Sequence, residues 1–234
     1  MIPVLSPSRL RLSIIVPALN EAAGIAACLA ALTGVRRAGC EVVVVDGGSS
    51  DGTAAAALPW CDRVVTSERG RGVQLNAGAA AARTDRLLFL HADTRLPEGA
   101  LDAIEDALGR APYAWGRFDV ALDSPRRLLR VVACMMNLRS RLTGIATGDQ
   151  AMFMTRAAFD AAGGFPPIPL MEDVAMSTRL KRLAAPHCLR MRVSTSARRW
   201  EADGAWRTIV LMWRLRLAYF LGADPADLAR RYRR

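Results

Sequence analysis

Residues 13–46, SIIVPALNEAAGIAACLAALTGVRRAGCEVVVVD, decide the fold. A short apolar run, SIIVP (13–17), is followed by a helix-forming segment, EAAGIAACLAAL (21–32), and then by a second apolar run, EVVVVD (41–46). Both runs are continuously apolar rather than alternating, as strands buried on both faces must be. A helix of this length between two such strands is the crossover of a parallel pair.

The pattern repeats outward from that unit. RVVTSE (63–68) and RLLFLHAD (86–93) read as the third and fourth strands, with a helix through VQLNAGAAAAR (73–83) between them. The second half is less regular. WGRFDVAL (115–122) alternates as a strand, 125–142 is an Arg-rich apolar helix, and DQAMFMT (149–155) is a strand. GGFPPIPLMED (163–173) is a Gly/Pro loop opening a helix to about 183; HCLRMRV (187–193) is a late strand and 205–221 a final helix. No internal repeat or low-complexity linker interrupts the chain. The expected architecture is α/β, with a doubly wound, Rossmann-like and mostly parallel sheet flanked by helices. One compact domain, 1–234, is expected to combine a nucleotide-type half (about 12–110) with a mixed half (about 111–234).

Composition bounds the chemistry. Of 234 residues 52% are hydrophobic, enough for a packed core, which excludes a disordered chain. The net charge of +10 is carried almost wholly by arginine, Lys181 being the only lysine, and favours anionic partners such as nucleotides, phosphorylated substrates or acidic headgroups. No basic cluster is interleaved with aromatics, which speaks against nucleic acid. The five cysteines (Cys28, Cys40, Cys61, Cys134, Cys188) are scattered without zinc-ligand spacing and read as buried free thiols in a reducing cytoplasm. The N-terminus lacks the long apolar core and cleavage site of a signal peptide, and the longest uncharged stretch, 22–35, is shorter than the roughly 20 residues of a membrane span. A cytoplasmic protein is expected, free or held at the inner face of the membrane.

In an open parallel sheet ligands bind beyond the carboxyl ends of the strands. There the sequence places Pro17-Ala18-Leu19-Asn20-Glu21, Asp46-Gly47-Gly48-Ser49-Ser50-Asp51-Gly52 and His91-Ala92-Asp93. The first turn has no G-x-G-x-x-G, so a diphosphate must be neutralised by something other than a glycine loop. Asp93 with a hard divalent ion, Mn²⁺ or Mg²⁺, answers that need. The alternative is that Asp93 or Thr94 caps a helix beginning at Pro97. Glu172 and Asp173 stand at another helix start, where the dipole alone favours acids; a transferase activating a hydroxyl needs a base at such a place, separate from the metal carboxylate.

Taken together, IIVPALNE (14–21), VVVDGGSSDGT (43–53), GRGVQLNAGAAAA (70–82), LFLHAD (88–93), GGF (163–165) and MED (171–173) resemble, in order, the motifs of the inverting family 2 glycosyltransferases of GT-A fold. H-A-D, G-D-Q-A-M-F (148–153) and S-A-R-R-W (196–200) further resemble a small bacterial subgroup associated with arsenosugar biosynthesis. The resemblance implies transfer of one hexosyl-type sugar from a UDP- or GDP-sugar to an acceptor hydroxyl. It implies that Pro17, Asn20 and Glu21 lie along the nucleotide, that Asp46 bonds the base, and that Arg71 and Asn76 support that side of the pocket. Asp93 is then the metal acid, Asp173 the general base and Glu172 its neighbour in the E-D motif.

Two departures stand out. His91 occupies the place of the leading acid of the family's D-x-D, where an imidazole can ligate Mn²⁺, bond the ribose or stand behind the ligand. S-A-R-R-W shares only Arg199-Trp200 with the Q-x-x-R-W of processive synthases, which argues for single-sugar transfer. His187 opens a late strand, as a structural residue or a further metal ligand. Gly148, Asp149 and Gln150 are placed to line the acceptor pocket, and Trp115 and Trp200 either stack on the acceptor or belong to the core. The acceptor itself, a small molecule or a lipid-linked one, is left open. WRTIVLMWRLRLAYFL (206–221), with Arg207 and Arg214 seven apart on one stripe, packs on the domain or on a second subunit, or meets an anionic membrane surface. Two rival functions remain: a sugar nucleotidyltransferase, whose N-terminal glycine-rich loop with Arg and Lys is missing here, and a non-catalytic nucleotide-sugar-binding or membrane-surface protein.

Overall fold

The structure, a computed structural model, describes residues 10–109, 111–202 and 204–232, without the side chain of Arg199; residues 1–9, on which the signal-peptide expectation falls, and the Arg199 side chain of S-A-R-R-W lie outside it. The chain runs β1 (Leu12–Ala18), α1 (Ala22–Ala30), α2 (Thr33–Arg37), β2 (Cys40–Asp46), α3 (Thr53–Ala57), β3 (Arg63–Thr66), α4 (Arg71–Ala81) and β4 (Arg86–Phe89). It continues through β5 (Thr94–Arg95), α5 (Ala100–Leu108), β6 (Trp115–Asp123), α6 (Arg127–Thr143), β7 (Met152–Thr155) and α7 (Arg156–Ala161). The last elements are α8 (Glu172–Leu180), β8 (His187–Ser196), α9 (Arg198–Ala202), α10 (Ala205–Phe220) and α11 (Pro225–Tyr232).

One eight-stranded sheet, ordered β3-β2-β1-β4-β7-β6-β8-β5, organises the molecule. β1 pairs parallel with β2 and β4, β2 with β3, and β6 with β8; the β4–β7, β6–β7 and β5–β8 pairs are antiparallel, so only β5 and β7 run against the rest. Every residue of β2 is buried, because helices cover both faces as its unbroken valines require. Ile14, Val16, Val42 and Val44 pack on α1 and α5, while Ile15, Val43 and Val45 pack on α4 and α8 through Leu75, Ala79 and Met176. Each such valine contributes about 1.5–3 kcal/mol by leaving water. Gly78 lets α4 approach this closely: a Cβ there would lie 2.3 Å from a methyl of Ile15 and 2.9 Å from one of Val45. A fourth apolar cluster ties the start of α8 to α10 and α11 through Met171, Val174, Leu215 and Leu228.

Several local expectations are corrected. The segment 21–32 splits, α1 ending at Ala30 and α2 following from Thr33. RLLFLHAD leaves the sheet after Phe89, where β7 stops pairing, and Thr94–Arg95 turns back to pair with β8. DQAMFMT is only half strand: Gly148–Gln150 forms a 3₁₀ turn and Ala151 takes a left-handed φ of 47° before β7 starts. β6 does not alternate but is buried along most of its length, because Arg117 is paired inside with Asp119, which also accepts from Arg141 of α6 at 2.6 Å. Asn137 of α6 donates to Val120 O at 3.0 Å and accepts from Val120 N–H at 2.8 Å, bonding β6 as another strand would. Cys134 is exposed and Cys188 half-buried, whereas Cys28, Cys40 and Cys61 are buried as expected.

Candidate functional site

The chain turns left from β1 to β2 and β3, then crosses right to β4, so the sheet's switch point lies between the ends of β1 and β4. An open cleft of about 960 Å³ sits there, lined on one wall by Pro17 to Leu19 and Glu21, and by His91 and Asp93. Its lining also includes Arg69 to Gln74, the 167–174 loop and helix start, and Thr208, Met212 and Arg216 of α10.

The rim formed by the turns after β1 and β2 is laced together by its own polar side chains. Asn20, at a left-handed φ of 55°, accepts from Ser50 N–H at 3.0 Å and donates its own N–H to Ser49 Oγ. Thr53 Oγ1 accepts from Glu21 N–H, and Asp51 accepts from the N–H groups of Ala22 and Thr53. Hydrogen bonds from Thr53 and Ala22 hold the Asp51 carboxyl below its usual range. Asp46 is buried beneath this loop, accepting from Ser49 N–H at 3.1 Å. Gln74, fully inside, donates to Ala18 O at 2.8 Å and Val45 O at 2.9 Å, fixing the ends of β1 and β2 against each other. Burial and the nearby charge of Asp93 raise the Glu21 carboxyl, against a lowering by Arg198, whose guanidinium lies 3.8 Å away.

Asp93 has no structural task that would account for it. α5 begins at Ala100 with Gly99 before it and no side-chain cap, so the capping alternative for Asp93 and Thr94 falls away. The carboxylate is exposed, and its hydroxyl contacts, Thr195 Oγ1 at 3.4 Å and Thr94 Oγ1 at 3.5 Å, are long. A hard divalent ion is commonly held by one or two protein carboxylates and the substrate's phosphates, and a free carboxylate on a cleft wall fits that donor set. Among the described residues no three His, Cys, Asp or Glu side chains gather as a metal cluster. His91 is otherwise engaged: Nδ1 lies 3.3 Å from Asp149 Oδ1, and Nε2 packs over Gly148, where a Cβ would stand 2.3 Å from it.

Gly148 links His91 to the second acidic site. Its N–H donates to Asp173 Oδ2 at 2.8 Å, while Val174 N–H donates to Oδ1 at 2.7 Å, so both carboxylate oxygens are oriented. Glu172, beside it and buried, has Oε1 3.8 Å from Arg71 Nη1; burial and the adjacent Asp173 raise its carboxyl. Asp149 is partly buried, which alone would raise it, but His91, then Arg71 and Arg216, outweigh this and hold it low. The loop before α8 is latched by Asn76, which donates to Phe165 O at 2.8 Å and accepts from Phe165 N–H at 2.9 Å. Met171, immediately before Glu172, takes a left-handed φ of 70°. Among the described residues the non-glycine positions with positive φ are Asn20, Ala151 and Met171, and all three flank this cleft, as stored strain at functional sites would have it.

The structure therefore brings Pro17, Glu21, Arg71, His91, Asp93, Gly148, Asp149, Glu172, Asp173 and Trp200 to one cleft. Asp46, Asn76 and Gln150 lie behind its surface, and Asn20, though exposed, is outside its lining. Gln150 is fully buried, its side-chain oxygen accepting from Thr147 N–H and its amide donating to Asn137, so it braces the turn and does not line an acceptor pocket. Trp115 is core, its indole N–H donating to Ala184 O, and does not stack on an acceptor. His187 is exposed at the start of β8, whose far end, Thr195 and Ser196, is the one that reaches the cleft; ten residues of strand, roughly 30 Å, separate it from that end. Arg216 and Tyr232 were not anticipated: they line the cleft from α10 and α11.

A mostly parallel α/β sheet with an acidic cleft at its switch point is the architecture of the GT-A glycosyltransferases. The chain belongs to glycosyl transferase family 2, whose pattern matches residues 13–161. It is 29% identical over 250 residues to an uncharacterised protein of Mycobacterium tuberculosis, covering 94% of this chain and 78% of that one. It is 34% identical over 142 residues to a Drosophila melanogaster dolichyl-phosphate β-glucosyltransferase, covering 53% of this chain and 43% of that enzyme. A mannosyltransferase from Pyrobaculum calidifontis, solved with GDP-Man and Mn²⁺, superposes with a TM-score of 0.65 at 22% identity, covering 97% of this chain and 70% of that one. These matches stop at the family and do not single out the arsenosugar-associated subgroup.

Proposed function

We propose that this chain is an inverting, metal-assisted glycosyltransferase that moves one sugar from a nucleoside-diphosphate sugar, of uracil or guanine base, to an acceptor hydroxyl. The observation that carries the reading is the pair of acidic sites lining one cleft: Asp93, an exposed carboxylate with only long hydroxyl contacts, and Asp173, oriented by two N–H groups. The GDP-Man and Mn²⁺ bound to the Pyrobaculum mannosyltransferase support the donor and metal classes.

Pro17 and Glu21 flank the nucleotide, with Asp46 and Asn20 holding the Ser49-Ser50 turn beside them. The Asp173 carboxylate, steered by Gly148 and Val174, takes the acceptor's hydroxyl proton as the acceptor oxygen forms its bond to the anomeric carbon. The bond from that carbon to the diphosphate oxygen breaks in line, its electron pair leaving with the nucleoside diphosphate. Arg71, which lines the cleft, stabilises the negative charge that builds on the leaving group. Asp93, with the donor's phosphates, would hold a divalent cation, Mn²⁺ or Mg²⁺, which would supply Lewis-acid stabilisation of that diphosphate. Asp149, held by His91, and Trp200 face the acceptor.

Two variants test the assignment. Asp173→Asn is expected to keep donor binding and lose turnover by roughly 10²–10⁴-fold. Asp93→Ala is expected to lose metal-dependent donor binding while folding normally. Sugar transfer at the parent's rate by both variants would sink the reading, and release of pyrophosphate instead of nucleoside diphosphate would favour a nucleotidyltransferase.

A further inference from the structure

α10 carries a face that the fold does not cover. Its inward side supplies Thr208 and Leu215 to the interior and Thr208, Met212 and Arg216 to the cleft. Its outward side presents Trp206, Val210, Trp213, Leu217 and Phe220, each at least 46% exposed. The spacing of 4, 3, 4 and 3 residues keeps all five on one stripe. α6, which shares an apolar cluster with Ala205 and Ile209 of α10, exposes a second stripe of Val131, Met135, Leu138 and Leu142. Nine large apolar side chains on two neighbouring helices exceed the scattered exposure of an ordinary surface and mark an interaction site.

The charges select the partner. Neither helix contains an Asp or Glu. Arg127 and Arg130 of α6 and Arg207 and Arg214 of α10 are exposed, and among the described residues none of them forms an ion pair. A two-fold dimer built on this face would set the same arginines against each other with no acid to pair them. An anionic bilayer satisfies both features, taking the tryptophans and phenylalanine at the headgroup level and the guanidiniums on the phosphates.

We propose that the outward face of α10, with that of α6 beside it, docks this protein on an anionic lipid surface. The helix lies along the bilayer and does not cross it; among the described residues no helix is long and apolar enough to do so. Because its opposite side is a wall of the cleft, docking sets the cleft about one helix diameter, roughly 10 Å, from the lipid. Such docking goes beyond the transferase reading and stands without it.

Vesicle flotation tests it, using phosphatidylcholine alone and phosphatidylcholine mixed with phosphatidylglycerol. The parent is expected to float with the mixed vesicles, less as salt rises, and little with phosphatidylcholine alone. Trp206→Ala/Trp213→Ala and Arg207→Glu/Arg214→Glu should each weaken flotation at least about tenfold. Both pairs are exposed, so unchanged melting temperatures will show that the variants fold. Failure of the parent to float with mixed vesicles at low salt overturns the proposal. So does equal, salt-independent flotation with both vesicle types, or a solution dimer that Trp206→Ala/Trp213→Ala converts to monomer in a parent that does not float.

Discussion

Adding one methyl group at Gly148 should disable the cleft through a named collision. An alanine Cβ there would lie 2.3 Å from His91 Nε2 and 2.6 Å from its Cε1, and its three nearest atoms all belong to that ring. The imidazole cannot swing away freely, because it is largely buried and faces Asp149 at 3.3 Å. Overpacking of this kind costs about 1–3 kcal/mol. For a chain of 234 residues, about 2 kcal/mol corresponds to a fall in Tm of roughly 4–8 °C. Activity should fall further than stability, since the same residue's N–H orients Asp173 from 2.8 Å and a displacement of about 1 Å at a base costs on the order of 10²-fold. His91→Ala removes the obstacle, so His91→Ala/Gly148→Ala should melt above Gly148→Ala alone, a coupling of about 1 kcal/mol or more. Scanning fluorimetry and nucleoside-diphosphate release measure the two halves. If Gly148→Ala is silent in both, or the double variant melts no higher than the single, the packing argument fails.

Two further outcomes follow from the loop and helix that carry the second acidic site. Asn76→Ala removes both bonds to Phe165 and leaves that backbone pair unsatisfied, at about 1–3 kcal/mol; turnover should drop more than donor affinity, and equal Tm values for variant and parent would contradict the latch. Glu172 has its carboxyl raised by burial and Asp173, so the folded protein holds that proton to higher pH than the unfolded chain, and stability is lost as pH rises from the usual 4.5 through the raised value. In Glu172→Gln that loss disappears: the ligand-free variant should gain Tm over the parent as pH rises toward neutral, and a difference that does not change with pH would refute it.

The sheet's first half was legible because its physics is local. β1 and β2 are buried on both faces, and a short unbroken run of Ile and Val bounded by turn residues fits a doubly covered strand. The acidic residues at the strand ends were legible for the same reason, since the switch point follows from strand order. What failed was set by tertiary contacts. Nothing near Ala151 announces a left-handed alanine, yet that residue ends the turn holding Gly148 under His91. Trp115 looked as fit for stacking as Trp200 until the sheet placed one in the core and the other at the cleft edge. On α10 the seven-residue spacing of Arg207 and Arg214 drew attention outward, while Arg216, two positions on, turns into the cleft. Asn76 and Asn137 show the same limit, because an asparagine that bonds a distant backbone leaves no mark on its neighbours in sequence.

The central claim, a nucleoside diphosphate bound through Asp93 and a divalent ion, is tested most directly by calorimetric titration of UDP and of GDP into metal-free protein, with and without Mn²⁺, using the parent and Asp93→Ala. The account predicts that one of the two nucleotides binds the parent far more tightly with Mn²⁺, and that Asp93→Ala abolishes the gain. Binding of neither nucleotide, or binding indifferent to both Mn²⁺ and Asp93, would contradict it.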